Sequence, residues 1–140
     1  MEYVFPNVIL DGAHNEDAAI RCVEAIREIC KKDEWKKVSI LFAVSSDKDY
    51  DNIVKVLSDG LEPEDVYVTE LNSVRRMDAK TVMQLFQKYL PPEKHFQVVA
   101  DRSLRRAWEL ATGELADDTL LLVVGSLYMV GEIKEIMMNR

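Results

Sequence analysis

This chain of 140 residues contains no apolar run approaching the roughly 18 residues that a membrane-spanning helix requires. Its opening, Met1 to Leu10, lacks the basic start and long apolar core of a secretory signal. Cysteine and histidine are scarce, at two each. Cys22 and Cys30 fall in one helical stretch, about 12 Å apart along its axis, beyond the roughly 7 Å that a disulfide tolerates. No Cys-x-x-Cys pair accompanies His14 and His95, so the donors for a structural zinc site are lacking. Both cysteines read as reduced packing residues, and the chain as a cytoplasmic one. Positive charge is in deficit: 25 acidic against 18 basic residues leave a net charge of -7, with the acids spread along the chain. That balance argues against nucleic-acid or anionic-membrane partners, which need clustered cations.

Signature loops are missing too. There is no Gly-x-x-x-x-Gly-Lys-Ser/Thr phosphate loop, no Gly-x-Gly-x-x-Gly dinucleotide turn and no Gly-x-Ser-x-Gly nucleophile elbow. What is present is an ordinary globular balance, 48% hydrophobic and 31% charged, in a length that suits one core. The expectation is a single domain over residues 1–140.

One pattern recurs along it: a short apolar run, a polar turn, then a helical stripe. The runs are Val8 to Leu10, Val38 to Val44, Val66 to Thr69, Phe96 to Ala100 and Thr119 to Val124. Rich in Val, Ile and Leu without strict alternation, they read as strands covered on both faces. Ala19, Cys22, Val23, Ile26 and Ile29 recur at three- and four-residue steps and mark a helix from about His14 to Lys31. Further stripes run through Tyr50, Ile53, Val54 and Leu57; Ala79, Val82, Leu85, Phe86 and Tyr89; Leu104, Ala107, Trp108 and Ala111; and Leu127, Val130, Ile133 and Met137. Asp59-Gly60, Pro91-Pro92 and Gly113 read as stop signals behind three of them. Alternating strand and helix predicts an α/β, Rossmann-like three-layer domain: a mostly parallel sheet of five or six strands, one edge strand free to run antiparallel, with helices on both faces.

Ligands of such sheets bind beyond the carboxyl ends of the strands, so the strand-to-helix turns hold the candidates. In the first turn Asp11 can accept from sugar hydroxyls, and His14 and Asn15 open a helix; equally, Asn15 can serve as that helix's cap and His14 as an exposed turn residue. Glu16 and Asp17 already place negative charge on that first helical turn, against a further anion. Lys48 lies between Asp47 and Asp49 and reads either as a ligand contact or as a solvated charge. Arg75 and Arg76 could clamp an anion, although a loop arginine pair is more often simply exposed. Ser103 reads as a cap, Arg105 and Arg106 as a wet helix face, and His95 as a surface residue. Ser126 reads either as the last helix's cap or as a donor to a substrate carboxylate. A phospho-receiver is excluded: it needs an aspartate ending the third strand and a lysine ending the fifth, where this chain has Glu70 and Gly125-Ser126.

Three segments, VILDGAHN at 8–15, DKDY at 47–50 and VGSLYMVGEI at 124–133, together resemble the C-terminal domain of folylpolyglutamate synthase and dihydrofolate synthase, within the Mur ligase superfamily. Glu16 stands where that family usually has proline after the His-Asn pair. The resemblance implies the Mur ligase C-terminal fold and an ATP- and magnesium-dependent ligase joining L-glutamate to dihydropteroate or a reduced folate. It implies that the phosphate loop, the magnesium ligands and most of the folate site lie in a larger N-terminal domain outside this chain. By match to these segments, Asp11, His14 and Asn15 would face ATP, with His14 near the reacting centre, and Lys48 and Ser126 would help hold glutamate. No metal ligand is expected here, and the chain alone should be inactive. The competing expectation is a stand-alone binding module that kept the fold and lost catalysis.

Overall fold

The computed structural model describes residues 1–99 and 104–139. The chain order is β1 (Glu2–Phe5), β2 (Val8–Asp11), α1 (Glu16–Lys32), β3 (Lys37–Phe42), α2 (Tyr50–Leu61), β4 (Asp65–Thr69), α3 (Ala79–Tyr89), β5 (His95–Val99), α4 (Leu104–Gly113), β6 (Thr119–Val124) and α5 (Leu127–Met138). The strands form one sheet in the order β1-β2-β6-β3-β4-β5, with β1 antiparallel to β2 and the rest parallel. The predicted three-layer α/β architecture is what forms.

The absence of alternation in the apolar runs now has its cause. Along β6, Leu120, Leu122 and Val124 join the core beneath α1, α2 and α3, while Leu121 and Val123 join the core beneath α4 and α5. Both faces are covered, so from Leu120 to Val124 every position on β6 is apolar, and the one polar residue, Thr119 at the strand's start, donates to Asp118 Oδ1 (3.0 Å). Helices α1, α3 and α5 begin where side chains satisfy their free N–H groups. Asn15 Oδ1 accepts from Ala18 N–H (2.8 Å), and Asp78 Oδ2 accepts from Thr81 N–H (3.0 Å). Each such cap is worth about 1 kcal/mol.

Strand β1 is the element that no apolar run announced. Four residues long and largely exposed, it is held from outside by its neighbours. The Phe5 ring stacks on Trp108 of α4 (6.2 Å between centroids), Trp35 Nε1–H donates to Tyr3 Oη (3.0 Å), and Tyr3 O–H donates to Asp33 (2.8 Å).

Two expectations need correction. Asp59-Gly60 does not stop the second helix: α2 runs on to Leu61, and Glu62 terminates it in the left-handed region at φ 46°. Gly60 is there because α1 packs so closely that a Cβ would overlap Val23. Leu127 does not belong to a buried stripe. It is 66% exposed, and α5 buries Met129 and Ile133 instead, because its first turn projects past the sheet tip. The expectations on Ala100 and on Asp101-Arg102-Ser103, including the Ser103 cap, lie outside the described residues. Among the described residues no helix is long and apolar enough to cross a membrane.

Candidate functional site

The chain path makes a crevice at the carboxyl edge of the sheet. After β2 and β3 it passes to α1 and α2 on one face; after β6, which lies between them, it passes to α5 on the other face. Loops leaving adjacent strands in opposite directions part from each other, and the gap beside β6 is the topological switch point where such sheets take ligands.

Three of the five candidates meet there. His14 from the β2 turn, Lys48 from the β3 turn and Ser126 from the β6 turn line one open depression of about 210 Å³, together with Ser45, Leu127 and Tyr128. Gly125 floors it with φ +121°, where an added Cβ would overlap the Ala43 carbonyl oxygen. His14 Nδ1–H donates to the Gly12 carbonyl (2.9 Å). A carbonyl only accepts, so Nδ1 carries hydrogen and Nε2 is the ring's remaining polar atom. Lys48 is half-buried and makes no ion pair among the described residues. Ser126 Oγ accepts from Tyr128 N–H (3.1 Å) and Met129 N–H (3.4 Å), so its capping role is real. Unlike α1, which carries Glu16 and Asp17, α5 has no acid in its first turn. The positive end of its dipole therefore adds to Lys48 with no acid of its own first turn against it, and the depression suits an anion.

Asp11 and Asn15 do not line that depression. Asn15 spends its side-chain oxygen on the α1 cap, leaving its NH2 group toward solvent. Asp11, half-buried at the end of β2, accepts the Ala13 N–H through Oδ1 (2.9 Å). Behind it, burial first and then the Asp11 carboxylate push the Cys22 thiol well above its usual range. Burial, then Asp33, also raises Cys30. A raised thiol pKa means less thiolate at neutral pH, so at pH 8 iodoacetamide should label half-buried Cys30 slowly and leave buried Cys22 untouched until denaturant is added. Mass spectrometry of the native protein checks this; rapid labelling of Cys22 would contradict the burial beneath Asp11.

Leu127 and Tyr128 are lining residues that the helical periodicity concealed. Both are well exposed at the crevice rim, where Tyr128 O–H reaches the Asn72 carbonyl (3.4 Å), and Val74, two residues further along that loop, is 97% exposed. Among the described residues, no three His, Cys, Asp or Glu side chains gather to hold a metal ion.

Comparison with known families matches residues 5–136 to the one described as dihydrofolate synthetase, C-terminal domain. The chain belongs to that family. Two similar archaeal proteins, from Haloferax volcanii and Halobacterium salinarum, are each described as a probable bifunctional folylpolyglutamate synthase/dihydropteroate synthase. They are 27% and 29% identical over 129 residues, which cover 92% of this chain and 14% of each relative. Among solved structures, E. coli FolC in complex with ADP, without folate substrate, superposes with a TM-score of 0.81 at 22% identity, over 96% of this chain and 29% of that one. A bifunctional folylpolyglutamate synthase/dihydrofolate synthase with Mn, AMPPNP and L-glutamate bound gives 0.74 at 23%, over 94% of this chain and 29% of that one. At such identities the structural likeness establishes the fold. This family member thus spans 14% of the length of the curated relatives it matches.

Proposed function

We propose that this chain is the C-terminal, nucleotide- and glutamate-facing part of a cytoplasmic ATP-dependent ligase that adds glutamate to dihydropteroate or to reduced folates. The observation that carries the reading is the meeting of His14, Lys48 and the acid-free N-terminus of α5 at the switch point. Lys48 and that helix end would take a carboxylate of the incoming glutamate, leaving its amine free to react. The acceptor's carboxylate is activated at the expense of ATP as an acyl phosphate; the amine attacks the acyl carbon, phosphate leaves and an amide forms with loss of a proton. Asp11 fits a ribose hydroxyl, because a carboxylate with one N–H contact on Oδ1 retains acceptor sites. Asn15 would face the nucleotide through its free NH2 group. Magnesium, which neutralises the transferring phosphoryl group, would be held by an ATP-binding domain that closes over the exposed Leu127, Tyr128 and Val74.

The test joins this chain to the ATP-binding domain of its ligase in one polypeptide. The joined protein, supplied with ATP, magnesium, glutamate and a reduced folate or dihydropteroate, should release ADP, and the 140-residue chain alone should not. Lys48→Ala should raise the KM for glutamate about tenfold with kcat nearly kept, as expected when a contact present in both ground and transition states is lost. Turnover by the chain alone, or an unchanged KM, would count against this function; a joined protein that binds ATP without turnover would favour a non-catalytic module.

A further inference from the structure

The loop between β4 and α3, residues 70–78, runs back across the sheet tip and pairs with the turn that carries Lys48. Ser46 N–H donates to the Arg75 carbonyl (2.6 Å), Met77 N–H donates to the Val44 carbonyl (3.0 Å), and Ser45 and Arg76 form an antiparallel bridge. Toward α2 the Lys48 turn is held at Asp49, whose Oδ2 accepts from Asn52 Nδ2–H (2.8 Å) and whose carbonyl accepts Ile53 N–H (3.1 Å); toward β3 it depends on this loop. Asp49 sits at the N-cap of α2 without a side-chain capping bond, and the turn's own backbone bond, Lys48 N–H to the Ser45 carbonyl, is long at 3.2 Å.

The bracing loop is fastened from within. Glu70, its side chain 10% exposed, accepts from Ala79 N–H at the start of α3 (3.0 Å) and faces Arg76 Nε at 3.6 Å. Arg76 then donates through Nη1 to the Ser73 carbonyl (2.9 Å), closing the loop on itself. Arg75, in contrast, meets Asp47 at 3.6 Å in a largely exposed pair that solvent and salt weaken. Breaking the Glu70–Arg76 pair instead leaves a charge with reduced access to water and without that partner.

We propose that Glu70 and Arg76 are positioning residues for the substrate: their pair shapes the loop that holds the Lys48 turn, and so sets where the Lys48 ammonium meets the substrate carboxylate. This rests on the glutamate-binding reading of Lys48. Arg76 thereby acts on an anion it does not itself touch.

Two measurements separate the brace from the binding reading. In the chain alone, Glu70→Gln and Arg76→Ala should speed hydrogen exchange at the Ser46 and Met77 amides about tenfold, with exchange in β3 and β6 unchanged. Glu70→Gln keeps an acceptor for Ala79 N–H, and Arg76→Ala alters the more exposed partner, so at least one should preserve the fold. In the joined ligase both should raise the KM for glutamate about fivefold while kcat holds within about twofold, and Arg76→Lys should recover most of the loss. Unchanged exchange at Ser46 and Met77 overturns the brace. Faster exchange with an unchanged KM, where Lys48→Ala does raise it, overturns the positioning role alone. An unchanged KM in Lys48→Ala removes the glutamate reading and this proposal with it.

Discussion

Gly125→Ala is expected to destabilise the domain by about 3 kcal/mol or more, the largest effect of any single glycine replacement in this chain. Gly125 turns the chain from β6 into α5 with φ +121°, a region that L side chains rarely enter. An added Cβ would also overlap the Ala43 carbonyl oxygen and lie 3.0 Å from Phe42 Cε1. Neither neighbour can give way. The Ala43 carbonyl is backbone just past β3, which is hydrogen-bonded on both sides, and Phe42 is fully buried against Phe86. Two other glycines serve as controls. At Gly12 the obstructing atoms belong to the exposed, movable Leu127 side chain, so Gly12→Ala should cost less than about 1 kcal/mol. At Gly131, inside α5, an added Cβ meets nothing within 4 Å, so Gly131→Ala should stabilise by about 1 kcal/mol through helix propensity. Urea midpoints of the three variants rank them. Equal midpoints for Gly125→Ala and Gly131→Ala would mean that the β6–α5 turn is not built this way.

The same contrast explains what was legible in the sequence. Hydrophobic runs and helical stripes report burial, and burial is what builds the parallel sheet, so five strands and five helices could be located before any coordinates. Gly125-Ser126 and Asp11 to Asn15 were likewise readable as sheet-tip turns, since strand-to-helix turns must collect at one edge. Strand β1 was not readable, because its stability comes from pairing with β2 and from Phe5 against Trp108, contacts made with residues far along the chain. Gly60 misled for a related reason. A glycine behind Asp59 has the composition of a helix stop, whereas its actual cause, the close approach of Val23, belongs to a different helix.

The site divides in the same way. His14, Asn15, Lys48 and Ser126 each had a bland local reading, and two of those readings hold: Ser126 caps α5, and Asn15 caps α1. Capping does not compete with the site at Ser126, because the cap places the helix end in the crevice. What local reading could not supply is the strand order. Only with β6 inserted between β2 and β3 do the three turns become neighbours, and only then does Leu127 become a rim residue rather than a core one, beside Tyr128. Arg76 was readable only as an anion clamp or an exposed loop residue, and its part in a brace with Glu70 was not, because Ala79 N–H and the Ser73 carbonyl, which the two side chains also engage, are backbone groups that no residue pattern advertises.

Replacing His14 should produce the largest functional loss. In the joined ligase, His14→Ala is expected to lower kcat about 100- to 1,000-fold, within the range for removing a group that moves a proton or stabilises charge at a reacting centre. The ring is fixed rather than free: its Nδ1–H is committed to the Gly12 carbonyl, which orients the imidazole against the depression shared with Lys48 and Ser126. Nε2 is therefore the atom available to a substrate. His14→Asn separates that role from a structural one, since its shorter amide can still donate toward Gly12 while presenting nothing where Nε2 stood. Both variants should fold with the stability of the parent within about 1 kcal/mol, because His14 is only half-buried. A kcat lost equally in His14→Ala and His14→Asn assigns the function to Nε2. Activity kept in His14→Asn but lost in His14→Ala would reduce His14 to a clasp on its own turn, and activity kept in both would move the reacting centre away from this edge of the sheet.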